Sequence, residues 1–362
     1  HLESSHQCDL SVWFDDKTLN ASAGFIPKAG TALETFTKTG KGKRPSFAKR
    51  VPKTAFAAGA MNIDTRALDA VMAVFNKATI DSYKQFADLR PEDIASMQTQ
   101  LDIITKNSPG DAAFGVYVDG DFPGAMMAVT RVVDINVHNA GWAAIVNVFV
   151  ERALAKLKAD GVDNIPPPIA NAKNLGELVT AINGMGAALG VKMTLVEFDP
   201  KNPVPNEDGV MISGLRMNVD WARFAAATQL DQADPELFKT LSKVLGGNFE
   251  MMSVMKDDLV ALAFGPNATK VATALVTEAP FGGGESGLNR LADNNVGVWT
   301  FRLDTVLKAI AFVPKLAAKR DLIKKIPTDR PLTFTYETDG TATTFSVNVP
   351  LDVMHAVGVV QD

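Results

Sequence analysis

The sequence predicts an α+β protein built by internal duplication: two similar lobes, each a mostly antiparallel sheet backed by helices. Three observations carry this prediction. First, four pairs of segments recur in the same order. Ser11-Val12-Trp13-Phe14-Asp15-Asp16 is echoed by Ser253-Val254-Met255-Lys256-Asp257-Asp258, and Ile63-Asp64-Thr65 by Leu303-Asp304-Thr305. Phe114 to Gly120 is echoed by Phe334 to Gly340, and His138-Asn139-Ala140-Gly141 by His355-Ala356-Val357-Gly358. The separations are 242, 240, 220 and 217 residues, so they drift only by loop-sized gaps. Second, pairs of alternating apolar runs are joined by short Asp- or Gly-bearing turns, the signature of β-hairpins. Third, helical stripes are interspersed with these hairpins, which favours antiparallel sheets over a doubly wound parallel one. The repeats divide the chain into residues 7–143, an insertion at 144–249, and residues 250–362.

Taken in order, Leu10, Val12 and Phe14 share one strand face, Asp15-Asp16-Lys17 turns, and 19–26 returns. Ala29, Ala32, Leu33 and Phe36 give a helical stripe over 27–37, and the Gly-, Pro- and Lys-bearing 38–53 reads as a loop. A strand over 54–63 ends at Asp64, a helix N-cap ahead of Leu68, Val71, Met72 and Phe75. Pro91 with Glu92-Asp93 starts another helix. Residues 112–118 and 123–133 form a hairpin around Asp119-Gly120, and Trp142 to Ala153 stripes a long helix. Pro166-Pro167-Pro168 predicts a stiff extended connector over 163–170. A helix from Leu175, strands at 191–198 and 209–219, and a helix after Asp220 complete the insertion. The second repeat predicts strands at 251–255, 260–264, 295–303, 332–337 and 343–349, with helices at 270–277 and 305–319.

Composition bounds the function. With 46% hydrophobic and 21% charged residues, a 362-residue chain can bury a substantial core without staples. The net charge is −5, and Lys41, Lys43, Arg44, Lys49 and Arg50 read as solvated loop charge rather than a nucleic-acid patch. The single cysteine, Cys8, excludes an intramolecular disulfide; His6-Gln7 before it does not resemble a lipidation context. No run of about 18 uncharged apolar residues predicts a transmembrane helix. The chain starts at His1 rather than Met, and residues 1–5 are set aside from fold reasoning. The start favours a removed leader and a periplasmic or extracellular protein, with the cytoplasm left open.

Candidate chemistry is sparse. Asp15, Asp16, Asp257 and Asp258 could bind a cation, but they sit at hairpin tips where Asp is a preferred turn residue, with no calcium-loop spacing. Asp64, Asp220 and Asp304 read as N-caps. His138 and His355 occupy equivalent repeat positions; two histidines do not make a zinc site. Each precedes a glycine by three residues, which suggests an element boundary. Phe281 to Gly287, including Gly283, is a glycine run without the Lys and Ser/Thr of a phosphate loop, and reads as a long surface loop suited to binding. No hydrolase elbow, zinc-protease or Cys-x-x-Cys motif is present. Met126-Met127, Met193, Met217 and Met251-Met252 fall on expected strands, where an adaptable apolar surface could hold a lipid-like ligand.

The expected function is therefore non-enzymatic binding, without a cofactor. An exported envelope protein would engage a partner protein or an apolar ligand between its lobes. A carboxylate-dependent hydrolase and a structural subunit assembling through sheet edges are the alternatives.

Overall fold

A computed structural model describes residues 5–52, 54–63, 69–84, 87–120, 122–159, 166–196, 206, 209–277, 288, 295–302 and 331–354. In chain order its elements begin with β1 (Ser5–Phe14), β2 (Thr18–Pro27), α1 (Ala32–Gly40), β3 (Ala55–Asn62), α2 (Asp69–Tyr83) and α3 (Pro91–Lys106). Next come β4 (Asp111–Asp119), β5 (Phe122–Arg131), α4 (Ile135–Ala159), α5 (Pro167–Ala170), α6 (Leu175–Leu189), β6 (Val191–Val196) and β7 (Met211–Val219). The chain continues through α7 (Trp221–Thr228), α8 (Leu230–Ala233), α9 (Pro235–Leu245), β8 (Asn248–Lys256), β9 (Leu259–Gly265) and α10 (Ala268–Thr277). The last described strands are β10 (Asn295–Phe301), β11 (Leu332–Thr338) and β12 (Thr343–Pro350). The fold is α+β, and every strand pairing given below is antiparallel. Asp64, Asp304, His355, the 281–287 glycine run and the 305–319 helix lie outside the described residues.

The chain forms two compact units, each drawn from separate segments. The first comprises His1–Leu68, Gly110–Arg131 and Thr277–Asp362; the second comprises Asp69–Pro109 and Val132–Val276.

In the first unit eight strands lie in the order β1-β2-β12-β11-β10-β3-β4-β5. Strands assigned to different repeats thus share a sheet, joined where β3 meets β10. Local chemistry fixes the turns. Asp15 Oδ1 accepts from the Lys17 amide at 2.9 Å and Oδ2 from Asn20 Nδ2 at 3.1 Å, closing the β1–β2 tip. Asp339 Oδ1 accepts from the Thr341 and Ala342 amides at 2.7 and 2.8 Å, closing β11–β12. Gly120 and Gly340 take φ of +62° and +91° at the β4–β5 and β11–β12 turns, a region glycine enters without Cβ strain. Helix α1 starts later than its apolar stripe suggests. Thr31 is the cap, its hydroxyl accepting from the Glu34 amide at 3.3 Å, while Glu34 accepts from the Gly30 amide at 2.7 Å.

The last six strands of this order can be read outward from the β3–β10 pair. Gly59 lies opposite Trp299, with Ala58 opposite Thr300 and Ala60 opposite Val298. Phe114 then lies opposite Gly59, and Phe334 opposite Trp299. On the next strands Ala128 faces Phe114 and Val347 faces Phe334.

In the second unit four strands run β9-β8-β7-β6. Helices α2, α3 and α4 close over a core of Ile80, Met97, Leu101, Ile104 and Ile145. Buried Asp93 and half-buried Arg152 form a bidentate pair at 2.6 and 3.2 Å. That partner holds the Asp93 carboxyl below the usual carboxylate range, and the Arg90 amide adds a 3.0 Å hydrogen bond at the α3 cap. Helix α4 begins at Ile135, ahead of the Trp142 stripe, because Asp134 caps it by accepting from the Asn136 and Val137 amides at 2.8 and 3.2 Å. His138 therefore lies in the first turn, and Gly141 is helical: a Cβ there would strike Ile104 of α3. The helix continues past this glycine, and the boundary beside His138 is the helix's start. The expected extended connector instead contains helix α5, with extended Pro166 as its cap. Proline's fixed φ suits a first helical turn as well as an extended chain. Asp220 and Asp234 cap α7 and α9 by accepting from Arg223 and Leu237 amides. Glu250 of β8 accepts from the Thr269 amide, the Thr269 hydroxyl and Arg216 at 2.8, 2.7 and 2.6 Å. Burial alone would raise its pKa, but these donors outweigh burial and lower it. No helix among the described residues is long and apolar enough to cross a membrane.

Candidate apolar binding face

Residues directly opposed in an antiparallel sheet share a face, so the registers sort the first unit's side chains into two sets. One set is Leu10, Val12 and Phe14 of β1; Leu19, Ala21, Ala23 and Phe25 of β2; and Phe345, Val347 and Val349 of β12. It continues through Leu332, Phe334 and Tyr336 of β11, Gly297, Trp299 and Phe301 of β10, and Ala57, Gly59 and Met61 of β3. It ends with Ala112, Phe114 and Val116 of β4 and Met126 and Ala128 of β5. No side chain named here carries a charge. The other set includes Ala58, Ala60, Ala113, Tyr117, Ala125, Met127, Val129, Val298 and Thr300, all buried.

The apolar set is not buried. Adjacent methionines make the contrast plain: Met127 is 2% exposed and Met126 is 45% exposed. Phe114, Phe301 and Phe345 are exposed at 38, 37 and 41%. The exception is one end, where Phe36 of α1 stacks on Tyr336 at 4.6 Å and Tyr336 stacks on Phe345 at 5.0 Å. Burial there pushes the Tyr336 phenol up to about 12. Beyond this lid the face holds a groove of about 340 Å³, lined by Trp299, Phe301, Phe334, Phe345 and Val347 with Thr335 and Ser346. Phe301 meets Phe334 edge-on at 6.1 Å, and Phe345 meets Phe25 at 6.2 Å. The volume suits a small apolar molecule or a stretch of acyl chain. Gly59 is required here, because a Cβ would collide with the Phe114 and Trp299 rings that flank it.

The second unit's sheet has a similar surface. Met193, Leu195, Leu215, Met217, Phe249, Met251, Leu262 and Phe264 fall on one face, partly or fully exposed. Met255 and Val260 share that face but are buried against Val132, with Ile135 packed alongside. Met252 and Val254 point the other way into the core.

The titratable candidates lie at turn tips or in a buried helix turn. Asp15 and Asp16 sit at the β1–β2 tip; the Lys17 amide, foremost, and Asn20 hold the Asp15 carboxyl below its usual range. Asp257 takes a positive φ of 53° at the β8–β9 tip, and the Asp258 carbonyl accepts from the Val132 amide at 2.7 Å. His138 is buried near Trp142, its Nδ1 without a hydrogen-bond partner among the described residues, and burial pushes its pKa down to about 4. His355, Phe281 and Gly283 fall outside the described residues. Among the described residues no three His, Cys, Asp or Glu side chains are grouped to hold a metal ion.

No family model, no curated protein and no solved structure matches the chain.

Proposed function

We propose that this chain is a non-enzymatic, exported envelope or surface protein that binds an apolar, lipid-like ligand on the open face of its first sheet. The observation that carries the reading is the uncharged face itself. Soluble proteins rarely leave large contiguous apolar patches open unless these bind something. Aromatic side chains line its groove, while alanines fill the buried opposite face of β3, β4 and β5. The methionines on both open faces supply an adaptable surface for chains of differing shape. The carboxylates engaged in turn and cap hydrogen bonds support binding over hydrolysis.

We also infer that the fold arose by duplication of 7–143 and 250–362. Supporting this are the matched registers about the Gly59–Trp299 pair and the paired turn glycines Gly120 and Gly340. Each repeat also runs hairpin, helix, strand in chain order: β1–β2, α1, β3 against β8–β9, α10, β10.

Native mass spectrometry of protein purified from producing cells, followed by denaturation, tests the ligand reading. The expected result is a released apolar molecule that a Phe301→Ser/Phe345→Ser variant carries at least tenfold less of, while it still unfolds in one cooperative thermal transition. Bare wild-type protein that also fails to take up fatty acid or phospholipid in micelles would end it.

A further inference from the structure

We propose that β1 is an acceptor edge at which a second copy of this chain adds its own β1, antiparallel, about a two-fold axis at Ser11. One side of β1 pairs with β2 from Gln7–Ile26 to Phe14–Leu19. The other side has no strand beside it among the described residues, since β1 ends the sheet. The β8–β9 hairpin makes the contrast. Its β8, also leading into an Asp-Asp turn, is covered on its outer side by β7, from Met211–Met255 to Asn218–Asn248.

The exposed edge carries few of the usual protections. It is ten residues long and contains no Pro or Lys. Its apolar side chains stand open, with Leu10 at 76% and Val12 and Phe14 at 69% exposure. The Asp15 amide donates to the Thr18 carbonyl at 3.0 Å beside the turn. Alternation from that bond turns the backbone groups of Ser11 and Trp13 toward β2, and those of Leu10, Val12 and Phe14 toward the open side. The strand is therefore ready to accept another.

Its own sequence is the fitting complement. With Ser11 opposite Ser11 of the second copy, Leu10 faces the second copy's Val12, and Cys8 faces its Phe14. The same register sets Asp9 opposite Trp13, so no like charges oppose. Centring on Asp9 would set two carboxylates face to face, which is destabilising in a cross-strand pair. Centring on Leu10 would place His6 opposite Phe14. A two-fold contact of this kind closes on itself, giving a dimer rather than a filament. Seven paired residues bury less than the roughly 800 Å² per partner of a stable interface, so the dimer dissociates on dilution. The inference needs no ligand and stands apart from the reading of the apolar face.

Sedimentation equilibrium and cysteine cross-linking test it together. In a Cys8→Ser background, Ser11→Cys crosses the axis at a non-hydrogen-bonded pair, where Cα atoms approach to about 4.5 Å. With copper–phenanthroline as oxidant it is expected to cross-link at least tenfold faster than Asp9→Cys. Leu10→Pro removes an outward-facing amide and is expected to abolish the reversible dimer while circular dichroism stays unchanged. A wild-type protein that remains monomeric up to millimolar concentration overturns the proposal, as does equal cross-linking of Ser11→Cys and Asp9→Cys.

Discussion

The two faces of β3, β4, β5 and β10 come from the same strands, yet one is closed and the other open. On the closed face Ala58, Ala60, Ala113 and Ala125 leave room for close approach, and Met127 and Val129 fill what remains. On the open face the residues one position away include Phe114, Met126 and Phe301. A sheet protein ordinarily offers apolar residues to its core and polar ones to water. On β3, β4, β5 and β10 both faces are apolar, whereas on β1, β2, β11 and β12 the second face carries Ser11, Ser22, Thr333, Thr335, Ser346 and Asn348. The difference separates residues whose cost of loss is stability from residues whose cost of loss is binding.

The largest expected effect breaks the closed face. Met127→Ala removes a fully buried side chain and should destabilise by about 2–5 kcal/mol, read from denaturant midpoints. Ligand affinity should survive in the folded fraction.

Next is a pH effect confined to the closed interior of the second unit. His138 has an ordinary value of 6.5 and a folded value of about 4. The unfolded chain therefore binds the extra proton first. Its contribution is fully present above about 6.5 and is lost as pH falls toward 4, reaching about 3 kcal/mol there. His138→Phe should flatten that part of the stability profile, measured by urea unfolding between pH 7 and 4. An unchanged profile would assign the acid loss to other groups.

Gly59→Ala tests the open face from beneath. The new Cβ must displace the Phe114 and Trp299 rings, with an overpacking cost of about 1–3 kcal/mol and an altered Trp299 emission. The smallest stability effect belongs to Phe301→Ser, whose main described ring contact is the edge-on one with Phe334. About 1 kcal/mol is expected by thermal melt, together with a loss of ligand uptake much larger than the stability change suggests.

The sequence carried most of the elements because hairpin alternation, Asp turns and N-caps are local. Asp220 before α7 and Pro91 at the start of α3 act within four residues of themselves. It did not carry the open face. Phe114, Trp299, Phe334 and Phe345 come from four strands spread over more than two hundred residues, and only the strand order sets them side by side. Alternation within one strand says that two faces differ; it does not say which one meets water. The methionine-rich strands hinted at an adaptable surface, but Met126 and Met127 split between the faces, as do Met251 and Met252. Helix α9 was missed because its signal, Asp234 followed by Pro235, sits in a segment whose neighbours carry no repeat. The pairing of β3 with β10 was equally out of reach, since similar segments do not reveal whether they pair together or apart.

The central claim is that the open face is a binding surface, and Trp299 sits in its groove as a natural reporter. Titration with a fatty acid brominated along its chain should quench a saturable part of the tryptophan emission, and Trp299→Phe should remove that part alone. Quenching that never saturates, or that is unchanged in Trp299→Phe, would contradict the account and leave the face without its proposed occupant.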